Sequence, residues 1–178
     1  MIMKAQRVLC TLVVGLSVLL CSSFPVFSAE VILENIQLAP IKSDTIILTT
    51  KSPKGVKNYT LSMIESFGLK RLNTSTFWPE DDGVYEGVLI VDLLSHAGME
   101  KCKSIVITAL DDYQVEIPCE DFEKWPVLLA TRCGGTTMSI REKGPTRIIY
   151  PKDIGGDIAL SDMRSRWIWA IKTISLKE

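Results

Sequence analysis

The chain has 178 residues, of which 47% are hydrophobic and 23% charged, and its formal net charge is −1 at pH 7. A nearly neutral chain with interspersed charges lacks the basic surface that nucleic acid binding requires, so we exclude a nucleic acid partner. A single histidine and five cysteines without CxxC spacing also disfavour a zinc site.

Residues 1–29 have the three-part layout of a secretory signal peptide. Two cations come first, an apolar run at 8–20 follows, and small and turn-forming residues end the segment. The apolar run is too short to span a bilayer comfortably. Cleavage after Ser28 leaves small residues at the expected positions, and cleavage after Ala29 is the near alternative.

A lipid anchor on Cys21 is a competing interpretation, but Leu20 is a poor residue directly before such a cysteine. Removing 29 residues from 178 leaves 149, the size of one domain at 30–178. Because Lys4 and Arg7 are then lost, the net charge moves from −1 to −3. No second apolar stretch approaches the length of a membrane span. We therefore expect one soluble domain that is periplasmic or secreted.

The first half of this domain predicts mainly extended structure and one short helix. Thr60 or Ser62 caps the helix, and Gly68 ends it. In chain order, the predicted elements are strands at 31–38 and 45–50, a turn at KSPKG, a helix at 60–68 and an extended segment at 71–77.

The second half predicts the strongest helix and a hairpin. Leu89, Leu93, Leu94 and Ala97 share one face of that helix, which ends at Gly98. In chain order, the elements are a helix at 88–98, a hairpin at 104–118, a short helix or turn at 119–125, and strands at 127–132, 146–151 and 167–176.

Three cysteines follow the signal region, so at least one is unpaired or pairs with another chain. If Asp111 and Asp112 form the hairpin turn, Cys102 and Cys119 fall nearly opposite each other. A bridge between them closes a loop of about 15 residues, which contributes roughly 3 kcal/mol. Cys133 could be a metal ligand or redox thiol, but we expect a structural role because no adjacent Cys or His would activate it.

Five motifs in the chain are YEGVLIVDLL (85–94), ITALDDYQVEIP (107–118), VLLATRCGG (127–135), EKGPTRIIYP (142–151) and WIWAIKTISL (167–176). In this order they resemble the oxidoreductase molybdopterin-binding domain family, which includes sulfite oxidase and the catalytic subunit of periplasmic methionine sulfoxide reductase. The resemblance covers roughly residues 57–176. It implies an α+β domain with a mixed β-sheet and short helices.

The segment before the Gly-apolar-DLL helix departs from that family. Cofactor-bearing members hold molybdenum there through a cysteine thiolate, whereas this chain has Thr74, Ser75 and Thr76 and no thiol within 71–87. A hydroxyl is a harder and much less acidic ligand than a thiolate. We therefore expect no bound metal, no catalytic residue and no cofactor, although the resemblance makes molybdopterin a candidate held by pterin and phosphate contacts alone.

The resemblance also implies a site for an anion. Its Gly-Pro-x-Arg strand lies beside the pterin phosphate in the family, which places Arg147 there; the residues alone equally allow a surface arginine on a strand. We assign Lys152 and Arg166 to the same site, and Arg164 could join them. Two functions remain open. One is a non-catalytic module that binds a small anionic or polar ligand, or a periplasmic protein partner, in the former cofactor cleft. The other is a periplasmic molybdopterin-dependent oxidoreductase or a component of one.

The histidine and the tryptophans have simpler interpretations. His96 lies near the end of a predicted helix, where a cationic or polar side chain is favourable without any catalytic role. We expect the tryptophans to pack in the core and at its rim rather than to form a ligand cage. They are Trp78, Trp125, Trp167 and Trp169.

Overall fold

The computed structural model describes residues 33–76, 78–151 and 161–177. Within these ranges the chain forms two β-sheets and short helices, which confirms the predicted α+β class. The helices are α1 (Leu61–Glu65), α2 (Ile90–Ala97) and α3 (Glu120–Lys124). The strands are β1 (Leu33–Asn35), β2 (Ile46–Ser52), β3 (Gly55–Thr60), β4 (Lys70–Thr74), β5 (Gly83–Leu89), β6 (Ser104–Ala109), β7 (Gln114–Pro118), β8 (Leu128–Cys133), β9 (Thr136–Thr137), β10 (Arg147–Ile149) and β11 (Ile171–Leu176).

The two sheets differ in strand direction. The first has the order β1-β4-β5-β8-β10, with β9 on β8, and all its pairs are antiparallel. The second has the order β3-β2-β11-β6-β7, in which β11 is parallel to β2 and antiparallel to β6. The C-terminal strand thus completes the second sheet at its centre.

The chain crosses from the first sheet to the second just before β11. Trp169 forms a β-bridge with Arg147 of the first sheet. The carbonyl of Ala170, one residue later, accepts a 2.8 Å hydrogen bond from the Leu110 amide at the tip of the β6–β7 hairpin. These contacts bring the hairpin tip close to the start of β10.

Helix α2 covers the core with most of the face that its sequence predicts. Leu93, Leu94 and Ala97 are buried as predicted, whereas Leu89 is the half-buried N-cap and Ile90 takes the first buried position of the helical stripe. Gly98 has a left-handed φ of 78° and donates its amide to the last helical carbonyls, a conformation that glycine adopts without a steric penalty.

The predicted hairpin and disulfide are both present. Asp112 turns the chain between β6 and β7 with a φ of 67°. Ser104 pairs with Pro118 at the open end of the hairpin, which brings Cys102 and Cys119 to a Cα–Cα distance of 5.9 Å in a disulfide. Among the described cysteines, Cys133 is the free one.

Several boundaries differ from the prediction. The helix predicted at 88–98 begins at Ile90, and β5, which precedes it, was not predicted. Strand β3 was also missed, because it is an exposed edge strand without apolar alternation. The first predicted strand, 31–38, is confirmed only at β1; residues 31 and 32 lie outside the described ranges. The strand predicted at 167–176 begins at Ile171.

Two further sequence expectations concern the signal peptide and membrane-spanning segments. The predicted signal peptide at 1–29 lies outside the described residues. In the ranges that the structure covers, no helix is long and apolar enough to cross a membrane.

Candidate functional site

Arg147 is buried in an ion-pair cluster. Its guanidinium is 2% exposed and donates from Nη2 to Asp81 Oδ2 at 3.1 Å. Nη1 lies 3.3 Å from the Tyr85 hydroxyl, and the guanidinium carbon lies 5.3 Å from the Tyr85 ring centroid. The interpretation of Arg147 as a surface arginine is therefore wrong. A carboxylate from the 3-10 turn Pro79–Asp81 makes its burial tolerable.

Asp81 is shared by two cations. Lys143 also forms an ion pair with its Oδ2 atom. Partial burial by itself would raise the pKa of Asp81, but the hydrogen bonds and charges of Lys143 and Arg147 outweigh it and lower that pKa. The Tyr85 hydroxyl donates to the Asp81 carbonyl at 2.5 Å, and burial raises the pKa of Tyr85 to about 12. Asp81 is thus ionised and Tyr85 neutral at pH 7.

A cavity of about 320 Å³ opens beside this cluster, and we name it the Arg147 cleft. Its walls carry four acidic residues and three basic ones, so it has no net positive charge. An anion that entered would have to displace Asp81 from Arg147. The lining residues with ionisable side chains are Glu80, Asp81, Asp82, Tyr85, Cys133, Arg141, Glu142, Lys143 and Arg147.

Cys133 lines the Arg147 cleft as a half-buried thiol. Burial raises its pKa, and the negative charge of Glu86 raises it further. A thiol that stays protonated at neutral pH is a poor nucleophile and a poor metal ligand. Across the described residues, no group of three His, Cys, Asp or Glu side chains is arranged to hold a metal ion.

Two of the three hydroxyls that stand in place of the family thiolate, those of Thr74 and Thr76, make local hydrogen bonds. Thr74 Oγ1 donates to the Ser75 carbonyl at 3.0 Å. Thr76 is 1% exposed, and its Oγ1 donates to the Trp78 carbonyl at 2.7 Å and accepts from the Trp78 amide at 3.1 Å. These side chains hold the loop after β4 in shape.

The described residues consequently do not fit a molybdenum-bearing pterin. The segment that should supply the thiolate offers hydroxyls instead, and those of Thr74 and Thr76 are engaged with backbone atoms. The arginine that should face the phosphate, Arg147, is neutralised by Asp81. A phosphate needs cationic donors that no internal carboxylate already occupies.

Arg166 is engaged in a different cluster. Its Nη1 donates to both Asp121 oxygens, at 2.9 and 2.7 Å, and the Tyr150 hydroxyl donates to Asp121 Oδ2 at 2.8 Å. Burial raises the pKa of Tyr150, and the charge of Asp121 raises it further. Arg147 and Arg166 thus serve separate carboxylates, and Lys152, the third predicted residue, lies outside the described residues.

A larger cavity, of about 550 Å³, lies where the chain crosses between the sheets. We name it the tryptophan cleft. Its principal lining side chains are Trp78, Asp111, Tyr113, Arg164, Trp167 and Trp169.

Two cations contact the aromatic rings of this cleft: Arg164, which lines it, and Lys143, which lines the Arg147 cleft. The Trp78 and Trp169 rings meet edge to face, with centroids 5.4 Å apart. Lys143 Nζ lies 5.1 Å from the Trp78 centroid and 5.2 Å from the Trp169 centroid, and the Arg164 guanidinium lies 5.1 Å from Trp78. Asp81 neutralises Lys143. Arg164 is exposed and forms no ion pair with any described residue.

The prediction that the tryptophans pack in the core and at its rim holds for three of the four residues. Trp167 is 1% exposed in the core, and Trp78 and Trp125 pack at its rim. Trp169 is 38% exposed and forms a cleft wall together with Trp78. Ala170 follows Trp169 with a left-handed φ of 51°, which turns the chain and separates Trp169 from the regular strand β11.

Two other predictions have clear outcomes. Asp111 is a turn residue, and its Oδ1 accepts from the Tyr113 amide at 3.1 Å. His96 is exposed in the last turn of α2, where its ring lies 4.8 Å from that of Phe67.

One comparison with known proteins supports the family that the motifs indicate. The profile described as "Oxidoreductase molybdopterin binding domain" matches residues 77–172. Among solved structures, the sulfane dehydrogenase SoxCD from Paracoccus pantotrophus is similar at 19% identity and a TM-score of 0.41, over 52% of this chain and 22% of that chain. Comparison with curated proteins finds no match. Because the profile spans more than half of the sequence, the chain belongs to the oxidoreductase molybdopterin-binding domain family.

Proposed function

We propose that this domain is a non-catalytic binding module that works outside the cytoplasm and takes a small anionic ligand in the tryptophan cleft. The state of Arg164 carries the proposal. Its guanidinium is exposed and stacked 5.1 Å from the Trp78 ring, and no described carboxylate pairs with it. A guanidinium in that state keeps its planar array of donors for a carboxylate or phosphate.

Three side chains support a non-catalytic role. The Thr76 hydroxyl is hydrogen-bonded to the backbone of Trp78, in the segment where the family thiolate is expected. Cys133 has a raised pKa, so at neutral pH it lacks the thiolate character that metal coordination and nucleophilic attack need. Arg147 is neutralised by Asp81. Fold membership alone confers no reaction.

The tryptophan cleft is the better ligand site of the two. In the Arg147 cleft, an anion would compete with Asp81 and meet three further acidic side chains. In the tryptophan cleft, Asp111 is the acidic group among the described lining residues, and the Tyr113 amide already donates to its carboxylate. An anion bound to Arg164 therefore displaces none of the carboxylates that the structure describes.

Two observations support a location outside the cytoplasm. The first 29 residues have the pattern of a secretory signal peptide. Cys102 and Cys119 form a disulfide, and disulfides persist mainly in oxidising compartments such as the periplasm. We therefore propose that the domain is periplasmic or secreted.

Elemental analysis tests the non-catalytic part. The protein is purified from its native source, its molybdenum is measured by plasma mass spectrometry, and its pterin by fluorescence after acid oxidation. We expect both well below one equivalent per chain. Stoichiometric molybdenum together with pterin would contradict the proposal and favour a molybdopterin-dependent oxidoreductase.

A thermal-shift screen tests the site. Small organic carboxylates and phosphates are screened against wild type, Arg164→Gln and Arg141→Gln. The control is matched, because Arg141 is also an exposed arginine but lines the Arg147 cleft. We expect hits whose stabilisation is lost in Arg164→Gln and kept in Arg141→Gln. If every hit stabilises Arg164→Gln as much as wild type, the proposed site is wrong.

A further inference from the structure

Two large aromatic side chains of the tryptophan cleft remain open to solvent. Trp169 is 38% exposed and Tyr113 is 50% exposed, and both line the same cavity as Arg164. Aromatic rings bury large areas when they stack, so leaving them exposed around a cavity marks a surface suited to a ring-shaped ligand. An anion without a ring would contact Arg164 and leave both rings exposed to solvent.

The wall behind these rings is held in place before any ligand arrives. Trp78 supports Arg164 on one side and meets Trp169 edge to face. Thr76 fixes the backbone of Trp78 through two hydrogen bonds. A site that is already ordered loses less side-chain entropy on binding, so a small ligand can bind there with few contacts.

We propose that the ligand is a planar aromatic molecule with a single anionic group. The ring stacks on the open aromatic surface of Trp169 and Tyr113, and the anionic group accepts hydrogen bonds from Arg164. Asp111 lies in the same cleft as a negative charge and disfavours a second anionic group on the ligand. This inference rests on the proposed function and adds the chemical class of the ligand to it.

The test uses four probes of matched chemistry. Naphthoate has the ring and one charge, naphthamide lacks the charge, cyclohexanecarboxylate lacks the planar ring, and naphthalene dicarboxylate carries a second charge. Each is titrated against the full mature chain, with affinity measured by calorimetry. We expect naphthoate to bind at least about tenfold more tightly than naphthamide and cyclohexanecarboxylate, since an ionic hydrogen bond and ring stacking each contribute that order. We also expect it to bind more tightly than the dicarboxylate, because Asp111 repels the second charge.

Variants assign the two contacts separately. We expect Arg164→Gln to weaken naphthoate roughly tenfold without changing naphthamide binding. Trp169→Ala should weaken both roughly three- to tenfold, and Trp169→Phe should restore most of that loss. Arg141→Gln should change neither. Circular dichroism and the thermal transition of each variant check that the fold is retained.

The outcomes separate the inference from the proposed function. If cyclohexanecarboxylate binds as tightly as naphthoate and both depend on Arg164, the aromatic inference is overturned while the anion site stands. If the dicarboxylate binds more tightly than naphthoate, the single-charge assignment is overturned. If naphthoate binding is absent or indifferent to Arg164→Gln, the inference fails, and the independent anion screen then decides whether the proposed site fails with it.

Discussion

Asp81→Asn is the substitution that should expose how much the buried ion cluster contributes to stability. The asparagine keeps the size of the side chain but leaves Arg147 without a counter-charge at 2% exposure. Removing one partner of a buried pair costs about 3–5 kcal/mol. We expect about 3 kcal/mol, the lower end, because the Asp81 side chain is 14% exposed and Arg147 keeps its contact with Tyr85.

Urea unfolding followed by tryptophan fluorescence measures this cost, and calorimetry measures the thermal midpoint. For a domain of about 150 residues, a loss of about 3 kcal/mol lowers the midpoint by roughly 6–12 °C. The matched control is Asp112→Asn, which breaks an exposed pair with Lys172 and should leave the midpoint unchanged. Equal midpoints for the two variants would refute the reasoning.

The difference in unfolding free energy between wild type and Asp81→Asn should depend on pH. The pKa of Asp81 is lowered in the folded protein, so its carboxylate contributes stability above its unfolded pKa of about 3.9 and loses it as the pH falls through the folded value. The stability gap between wild type and Asp81→Asn should therefore be full at pH 6 and shrink below about pH 4. A gap that is constant down to pH 2 would mean that the charge of Asp81 is not its source.

Three further predictions concern the sheets and the cysteines. Gly87→Ala should prevent folding or lower the unfolding free energy by several kcal/mol, because an added Cβ would clash with the Leu129 carbonyl and lie 2.6 Å from Ala130 Cα. In Gly83→Ala the nearest neighbour of the added Cβ is at 4.0 Å, so this control should unfold in urea near the wild-type midpoint. Replacing Cys102 and Cys119 by serine should lower the unfolding free energy by about 3 kcal/mol. Ellman titration of unreduced, denatured wild-type protein that lacks residues 1–29 should find one thiol rather than three. Cys133 should react with iodoacetamide at pH 7 several times more slowly than free cysteine, because burial raises its pKa; an equal rate would contradict that pKa.

Local patterns predicted the parts of the fold that local chemistry decides. The apolar stripe of α2 and its terminal Gly98 are visible in the sequence because both act within one or two helical turns. The disulfide followed from hairpin geometry once Asp111 and Asp112 were taken as the turn. The order of the family motifs along the chain indicated which fold these elements form, and single elements do not indicate that.

The candidate site depends on contacts that no local pattern contains. Asp81 and Arg147 are 66 positions apart, so nothing near Arg147 in the sequence reveals its counter-charge. Strand alternation would place Trp167 and Trp169 on one face. Residues 167–170 instead lie between the 3-10 helix Ser161–Arg166 and β11, so strand alternation does not apply to them, and Trp167 is buried while Trp169 is exposed. The residues of the tryptophan cleft come from three separate segments, which only the fold assembles.

The most direct measurement is a nuclear magnetic resonance titration of the four indole N–H signals with naphthoate. The four tryptophans report separately on the cleft wall, the core and the rim. We predict that the signals of Trp78 and Trp169 shift progressively with naphthoate, while that of the rim residue Trp125 stays in place, and that Arg164→Gln suppresses the shifts. Shifts confined to Trp125, or no indole shift at saturating naphthoate, would contradict a ligand site in the tryptophan cleft.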